Sequence, residues 1–248
     1  MLWLAARIRD LCAWLDLAVF TVAMALLARL PLAWLTGWYP RLFQRWCRAF
    51  VRALGVDLRL HQHYTGRLPE RYILIANHPS AFEDIGIPAL FPVTNLAKAE
   101  VRHWWIVGRI ATAAGTLFVQ REDKDSRQAA QAALIAAVRA GHNVAIYPEG
   151  GCKGRLLWDK FLYGAFSVSL ETGVPIVPVF LHYEAQADFA WGDDETLPQK
   201  IRHIMRTANR RANYHVFEPF HPSDFADRES YSAHARARFG EWQRRFLE

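Results

Sequence analysis

His78 keeps the residue company that proton transfer needs. It stands in Asn77-His78-Pro79-Ser80-Ala81-Phe82-Glu83-Asp84, so two carboxylates follow within a turn and a half. A histidine with a carboxylate a few residues on is the smallest kit for a general base with an orienting partner. The apolar run Tyr72-Ile73-Leu74-Ile75-Ala76 reads as a buried strand that Pro79 breaks. Asn77 and His78 are thereby delivered to a loop at the strand's carboxyl end, where reactive groups of open α/β sheets collect. The same letters also describe a helix start, with Pro79 at a first helical position and Ser80-x-x-Glu83 as a capping box.

Three other stretches carry chemistry. Gly115-Thr-Leu-Phe118-Val-Gln-Arg121 is a strand ending in a guanidinium, whose planar fork suits phosphate. Tyr147-Pro-Glu149-Gly150-Gly151-Cys152-Lys153-Gly-Arg155 again follows a buried strand. Its glycines permit close approach of backbone to a ligand, Glu149 can accept from a hydroxyl, and Lys153 and Arg155 can meet an anion. Val174-Pro-Ile-Val-Pro-Val-Phe is apolar throughout, a core strand or the wall of an acyl pocket, and its prolines predict an edge or a bulge. His61-x-His63 reads as an ordinary strand end, with no third ligand in sequence to make a metal site.

The elements that must hold these residues follow from periodicity. Strands are expected at 56–61, 72–76, 93–98, 116–120, 144–148, 176–183 and 214–217, with a clear helix at 124–140 that ends at Gly141. Such alternation predicts an α/β fold: one mixed, mostly parallel sheet flanked by helices. The acidic, turn-rich segment 186–198 reads as an excursion over the surface.

Residues 1–54 form a separate, membrane-associated helical segment ahead of a domain at 55–248. Leu17–Ala28 is uncharged but shorter than the roughly 20 apolar residues that a span requires. We therefore expect an interfacial or re-entrant helix, kinked near Pro31 and turning at Thr36-Gly37. A basic helix follows over 40–54, with Leu42, Trp46, Phe50 and Ala53 on one face and Arg41, Arg45, Arg48 and Arg52 on another, the pattern of a helix lying in an anionic surface. The alternative is a helical pair packed on the protein's own core. The net charge of +6 and ten Trp among 248 residues favour an anionic membrane over nucleic acid. Three cysteines without Cys-x-x-Cys spacing argue against a disulfide framework or a zinc site.

In their order, the four stretches resemble the blocks of the glycerolipid acyltransferases, whose best-known members are the lysophosphatidate (1-acylglycerol-3-phosphate) acyltransferases: Asn-His-x-Ser-x-x-Asp, Gly-x-x-Phe-x-x-Arg, Phe-Pro-Glu-Gly-Thr-Arg and Val-Pro-Ile-Val-Pro. The likeness covers about residues 55–185. It implies that His78 is the base that activates an acceptor hydroxyl against the thioester of acyl carrier protein or acyl-coenzyme A, without metal or cofactor. It further implies Arg121, and more weakly Lys98, on the acceptor's phosphate, with Glu149 and Gly150 holding the acceptor or shaping its loop. Asn77, Gly115, Phe118, Lys153 and Arg155 complete the expected binding set. The implied setting is the membrane, at the cytoplasmic face of the inner membrane.

Two departures qualify this. The block's Asp is Glu83 here, with Asp84 one place on; acyltransferases that modify lipid A accept Glu at that position, so Glu83 is preferred as the relay. The block's Thr-Arg is Gly151-Cys152, and the lost guanidinium puts the glycerophosphate head group in question. The leading expectation is thus a phosphatidate-forming enzyme. Another lysophospholipid or a lyso-aminolipid acceptor is the alternative, and a non-catalytic lipid-binding protein is the reading from another class.

Overall fold

The computed structural model describes residues 2–152, 154–191 and 196–248, and the predicted binding residue Lys153 lies outside them. Helices α1 (Leu2–Leu27), α2 (Leu32–Leu35) and α3 (Tyr39–Leu54) precede strand β1 (Asp57–Gln62). There follow β2 (Ile73–Ala76), α4 (Glu83–Leu90), β3 (Thr94–Lys98), a tight turn at Ala99–His103, α5 (Trp105–Ala113) and β4 (Leu117–Val119). Next come α6 (Lys124–Arg139), β5 (Val144–Ile146), α7 (Gly164–Thr172), β6 (Ile176–Tyr183), α8 (Gln186–Phe189), α9 (Leu197–Arg206), β7 (Arg211–Val216) and α10 (Arg228–Leu247).

The strands form one sheet in the order β1-β7-β6-β2-β5-β3-β4. Strands β2 to β6 run parallel, while β7 is antiparallel to β6 and parallel to β1. In β2 every residue is buried: Leu74 and Ala76 face one core, Ile73 and Ile75 the other. This is the signature of a strand covered on both faces, and it explains the unbroken apolar run. Helices α1 to α5 and α9 contribute to the first core; α6, α7 and α10 contribute to the second. From β2 the chain crosses to β3 through α4 on one face; from β5 it returns to β6 through α7 on the other. The carboxyl ends of β2 and β5 therefore flank a topological switch point, where crevices of such sheets open.

Several expectations need correction. β6 is an interior strand, paired on both sides, so its prolines do not mark an edge. They do sit beside a break in the ladder: Val179 pairs with Val216 but Ile176 with Phe220, a slip of one residue that flanks Pro178. The start of the 186–198 segment is not a surface excursion, because Phe189 is fully buried against the rings of Phe82 and Tyr183, while residues 192–195, with its acidic run, lie outside the described residues. Pro79 is not in a helix, since α4 begins at Glu83.

At the amino end, α1 ends at Leu27, and Pro31 separates it from α2 at the predicted kink. The apolar face of α3 does not meet a membrane. Trp46 and Ala53 are buried, the Trp46 indole donates to Thr21 Oγ1 of α1 (2.8 Å), and α3 packs on α1 and α4. The unpartnered stripe is on α1 instead: Leu4, Ile8, Leu11, Leu15, Val19, Val22 and Leu26 are all exposed, at helical spacing. Arg7–Leu27 is long and apolar enough to cross a membrane by length and composition. The helix outgrows its uncharged run and takes in Asp16, which pairs with Arg52 of α3 (2.6 Å).

Candidate active site

Backbone clamps hold His78 at the end of β2. The Asn77 side chain extends the strand pairing sideways: Nδ2 donates to Leu181 O (2.9 Å) and Oδ1 accepts from Leu181 N–H (2.7 Å) on β6. Glu149, buried after β5, accepts the His78 N–H at 2.7 Å with one oxygen and the Trp158 N–H at 2.9 Å with the other. Gln186 donates to Pro79 O and Ser80 Oγ to Phe189 O, so the α8 segment closes over the loop. The Ser80 hydroxyl also accepts from Phe82 N–H. With that geometry it is committed to the backbone and does not serve as a nucleophile for His78.

The imidazole lies on the Tyr147 ring, centroids 4.1 Å apart and nearly parallel. Its Nδ1 is 3.5 Å from Glu83 Oε2. That is longer than a hydrogen bond, as contacts of unliganded sites often are. Glu83 is fully buried; its Oε1 accepts from Ser80 N–H (2.8 Å), the reciprocal half of the capping box. Burial pushes the Glu83 carboxyl well up, opposed by the Ser80 N–H and the Tyr183 hydroxyl. Tyr183 in turn meets Tyr214 (3.3 Å between hydroxyls). Burial is also the main influence on His78 and moves it below the ordinary histidine value; Asp84 pulls it back and Arg121 pushes it further down. The ring is therefore neutral at neutral pH, with Nε2 turned away from Glu83. Geometry and field differ here: the field of Asp84 reaches His78, but Glu83 is the carboxylate in contact. Contact decides orientation, so Glu83 is the stronger candidate.

Of the predicted set, Asn77, His78, Glu83, Asp84, Glu149, Gly150 and Arg121 gather around this loop. Gly150 has φ 73°, and a Cβ there would meet Leu162 at 2.6 Å, so the position needs glycine. The Arg121 guanidinium reaches the Gly151 backbone, 3.3 Å from where a Cβ would stand. Lys98 ends β3 but is paired with Glu100 (2.9 Å). Phe118 lies on edge strand β4 under the Arg102 guanidinium.

Two predicted residues sit elsewhere. Gly115 precedes β4 and Arg121 follows it, so the strand's length separates them; Gly115 lines a cavity at the opposite end of the sheet with Arg41 and His142. Arg155 donates to Leu247 O at the carboxyl end of α10, a stabilising place for a cation.

Cys152 and Tyr147 are what sequence reading missed. The Cys152 sulfur lies 3.6 Å from His78 Nε2 and 3.3 Å from Ser80 O, and burial pushes the thiol strongly up, so it is neutral. Tyr147 was visible only as a variant of the block's Phe.

A second cluster overturns the reading of His61 and His63 as an ordinary strand end. Pairing of β1, β7 and β6 brings them beside His215 and His182. Asn213 Oδ1 meets His61 Nε2 (3.0 Å) and Asn213 Nδ2 meets His182 Nε2 (3.3 Å); His182 Nδ1 then meets His215 Nε2 (3.3 Å), and His215 Nδ1 meets His63 Nε2 (2.9 Å). With the Asn213 amide donating at one end, each ring donates to the next, and the chain requires neutral imidazoles. Among the described residues no group of three or more ligands is arranged to hold a metal. Burial, then His182, His61, His63 and Arg245, push His215 down to about 3. Its neutral form is thus the folded form, and the stability it adds is complete above pH 6.5 and is lost as pH falls below that. Between pH 7 and 5 the loss from His215 should be on the order of 1–2 kcal/mol after screening. His215→Phe should flatten that limb in a plot of Tm against pH; an unchanged limb would clear His215 of responsibility.

Comparison with known proteins shows the family and the fold. The family model described as Acyltransferase matches residues 59–182. The lyso-ornithine lipid O-acyltransferase of Pseudomonas aeruginosa is 34% identical over 220 residues, 86% of this chain and 82% of that protein. The enzyme of the same name from Rhodobacter capsulatus is 29% identical over 81% of this chain and 75% of its own. The 1-acyl-sn-glycerol-3-phosphate acyltransferase of Neisseria meningitidis is 26% identical over 55% of this chain and 53% of its own. The crystal structure of the 1-acyl-sn-glycerophosphate acyltransferase from Thermotoga maritima superposes with a TM-score of 0.61, over 100% of this chain and 98% of that one, at 16% identity, and so shares the fold. The chain belongs to the acyltransferase family that includes the lyso-ornithine lipid and 1-acylglycerol-3-phosphate acyltransferases, and it is an acyltransferase acting on lysolipids.

Proposed function

We propose that this enzyme transfers a fatty acyl group from a thioester carrier, acyl carrier protein or acyl-coenzyme A, to the hydroxyl of a lyso-aminolipid of the lyso-ornithine type. The observation that carries the choice is Cys152. Where the resembling block has an arginine, a neutral thiol lies against His78, so the loop after β5 offers no guanidinium at this position. A phosphate is best held by the planar fork of a guanidinium, and Cys152 does not supply the one that the block has there. An ornithine head group presents a carboxylate, which the single fork of Arg121 can grip, and no phosphate to call for a second guanidinium. The relatives from P. aeruginosa and R. capsulatus, named for that acceptor, support the reading.

In this mechanism Nε2 of neutral His78 takes the proton of the acceptor hydroxyl as its oxygen attacks the thioester carbonyl. Glu83 holds Nδ1 and stabilises the imidazolium that forms. Collapse of the tetrahedral intermediate expels the carrier thiolate, which recovers the proton from His78, leaving an ester and a free thiol. The exposed apolar stripe of α1 supports attachment to the membrane that holds acceptor and product.

Purified enzyme offered a long-chain acyl thioester with lyso-ornithine lipid or lysophosphatidate in matched micelles should favour the former in kcat/KM by about ten-fold or more. Cys152→Arg should move the preference towards lysophosphatidate. A parent enzyme that prefers lysophosphatidate would overturn the assignment in favour of phosphatidate synthesis, which the N. meningitidis relative represents.

A further inference from the structure

Among the described residues, the most exposed large apolar side chain belongs neither to α1 nor to the site. Trp105, the first residue of α5, is 85% exposed, and Trp104 beside it is 40% exposed. Neither indole has a core to fill. The turn that carries them is closely packed: at Gly108, α5 lies against the carbonyl of Arg102, where a Cβ would come within 2.2 Å. The two rings are therefore displayed by a built shoulder and not by a loose loop.

Basic side chains surround them. Arg102 and His103 precede the pair, and Arg109 follows Trp105 by one helical turn. These three line a cleft of about 370 Å³ whose opposite wall is Leu30, Leu32 and Leu35 of the turn between α1 and α2. Among the described residues no carboxylate lines it, and the neighbouring Glu100 is engaged by Lys98. On the far wall the helix α2 carries Trp34, 67% exposed. Indoles on both sides of a basic cleft, continuous with the apolar stripe of α1 through Leu26 and Leu30, match the composition of a bilayer interface. Indoles settle at the headgroup level, and guanidinium groups meet lipid phosphates.

We propose that the Arg102–Arg109 shoulder is a second membrane-contact element, which seats Trp104 and Trp105 in the headgroup layer of an anionic bilayer and holds lipid phosphates with Arg102 and Arg109. A single helix leaves a protein free to swivel about it. A second contact on the other side of the α1–α2 turn removes that freedom and fixes which way the sheet's crevice faces the lipid. This rests on the membrane attachment by α1 proposed above, and the test separates the two.

The full chain is reconstituted into phosphatidylcholine vesicles containing about one third phosphatidylglycerol, with a benzophenone amino acid in place of Trp105 or, as the internal reference, of Leu15 on the exposed stripe of α1. Irradiation should yield lipid adducts from both positions. Adducts from position 15 with none from position 105 would overturn the shoulder while leaving attachment by α1 intact. Adducts from neither would remove attachment itself. Crosslinks from position 105 to a second copy or another protein would make the shoulder a protein interface and overturn the proposal. In the same vesicles Trp105→Ser and Arg109→Gln should each raise the KM for membrane-borne acceptor several-fold with kcat unchanged, and do neither in detergent micelles. An equal rise in micelles would mean a local defect and not lost seating.

Discussion

His78→Ala should lower acyl transfer by about 10²–10⁴-fold, the range that a positioned acid–base group supplies. The ring sits at the crevice, stacked on Tyr147 and touched by Cys152, while the loop that bears it is held by backbone bonds to Glu149 and β6. The variant should therefore keep its fold, checked by an unshifted Tm, and a fully active protein would sink the mechanism. The pH profile of the parent enzyme is a second check. Because burial lowers His78 below 6.5, the working neutral form persists under pH 6.5, and activity should fall only as pH drops through the lowered value. An acid limb centred above 6.5 would contradict a buried neutral base. The same assay divides the carboxylates: Glu83→Ala should approach the His78 variant, and Asp84→Ala should be milder, since Glu83 is the one in contact with Nδ1.

Glu149→Ala should be the most damaging substitution that leaves every reacting group in the chain. Each Glu149 oxygen accepts one backbone N–H, from His78 and from Trp158, in a buried setting. Truncation orphans both donors, at about 1–3 kcal/mol each, so roughly 2–6 kcal/mol of stability should be lost. For a chain of this size that is a fall in Tm on the order of 10 °C. Activity should fall with it, because the His78 N–H loses the contact that ties the end of β2 to the end of β5. Scanning calorimetry and kcat on the folded fraction read the two effects separately. An unchanged Tm would mean that water replaces the carboxylate and that the clamp is dispensable.

This outcome assigns Glu149 a different task from the one its residue type suggests. In sequence it is a carboxylate in a glycine-rich turn, free to accept from a substrate hydroxyl. In the folded chain both of its oxygens are occupied by backbone, so it shapes the loop. Asn77 has the same history. Next to a reactive histidine it looks like a ligand-binding amide, yet its side chain continues the β2–β6 ladder past the point where Pro79 prevents the backbone from doing so. The partners that matter to the site, His78 for Glu149 and Leu181 for Asn77, lie 71 and 104 residues away in the chain, beyond the reach of any local pattern.

The amino acids by themselves determined the strands, since runs such as 72–76 and 176–183 are too apolar and too β-branched to be anything but covered sheet. They also determined where His78 stands, because a buried strand stopped by a proline must deliver its next residues to the carboxyl edge. Short-range chemistry was legible: the break at Pro31, the helix from Lys124 that stops before Gly141, and the glycine-rich turn after β5. Tertiary structure alone decided which face of each helix is covered. The Trp46 side of α3 looks as suited to a membrane as the Leu15 side of α1, and only their packing against each other shows that one is core and the other is free. It also decided distances across the sheet: His61 and His215, 154 positions apart, stack. Periodicity reports what a segment can bury. Strand order and register, set by long-range pairing, decide against what, and the active site is made from those pairings.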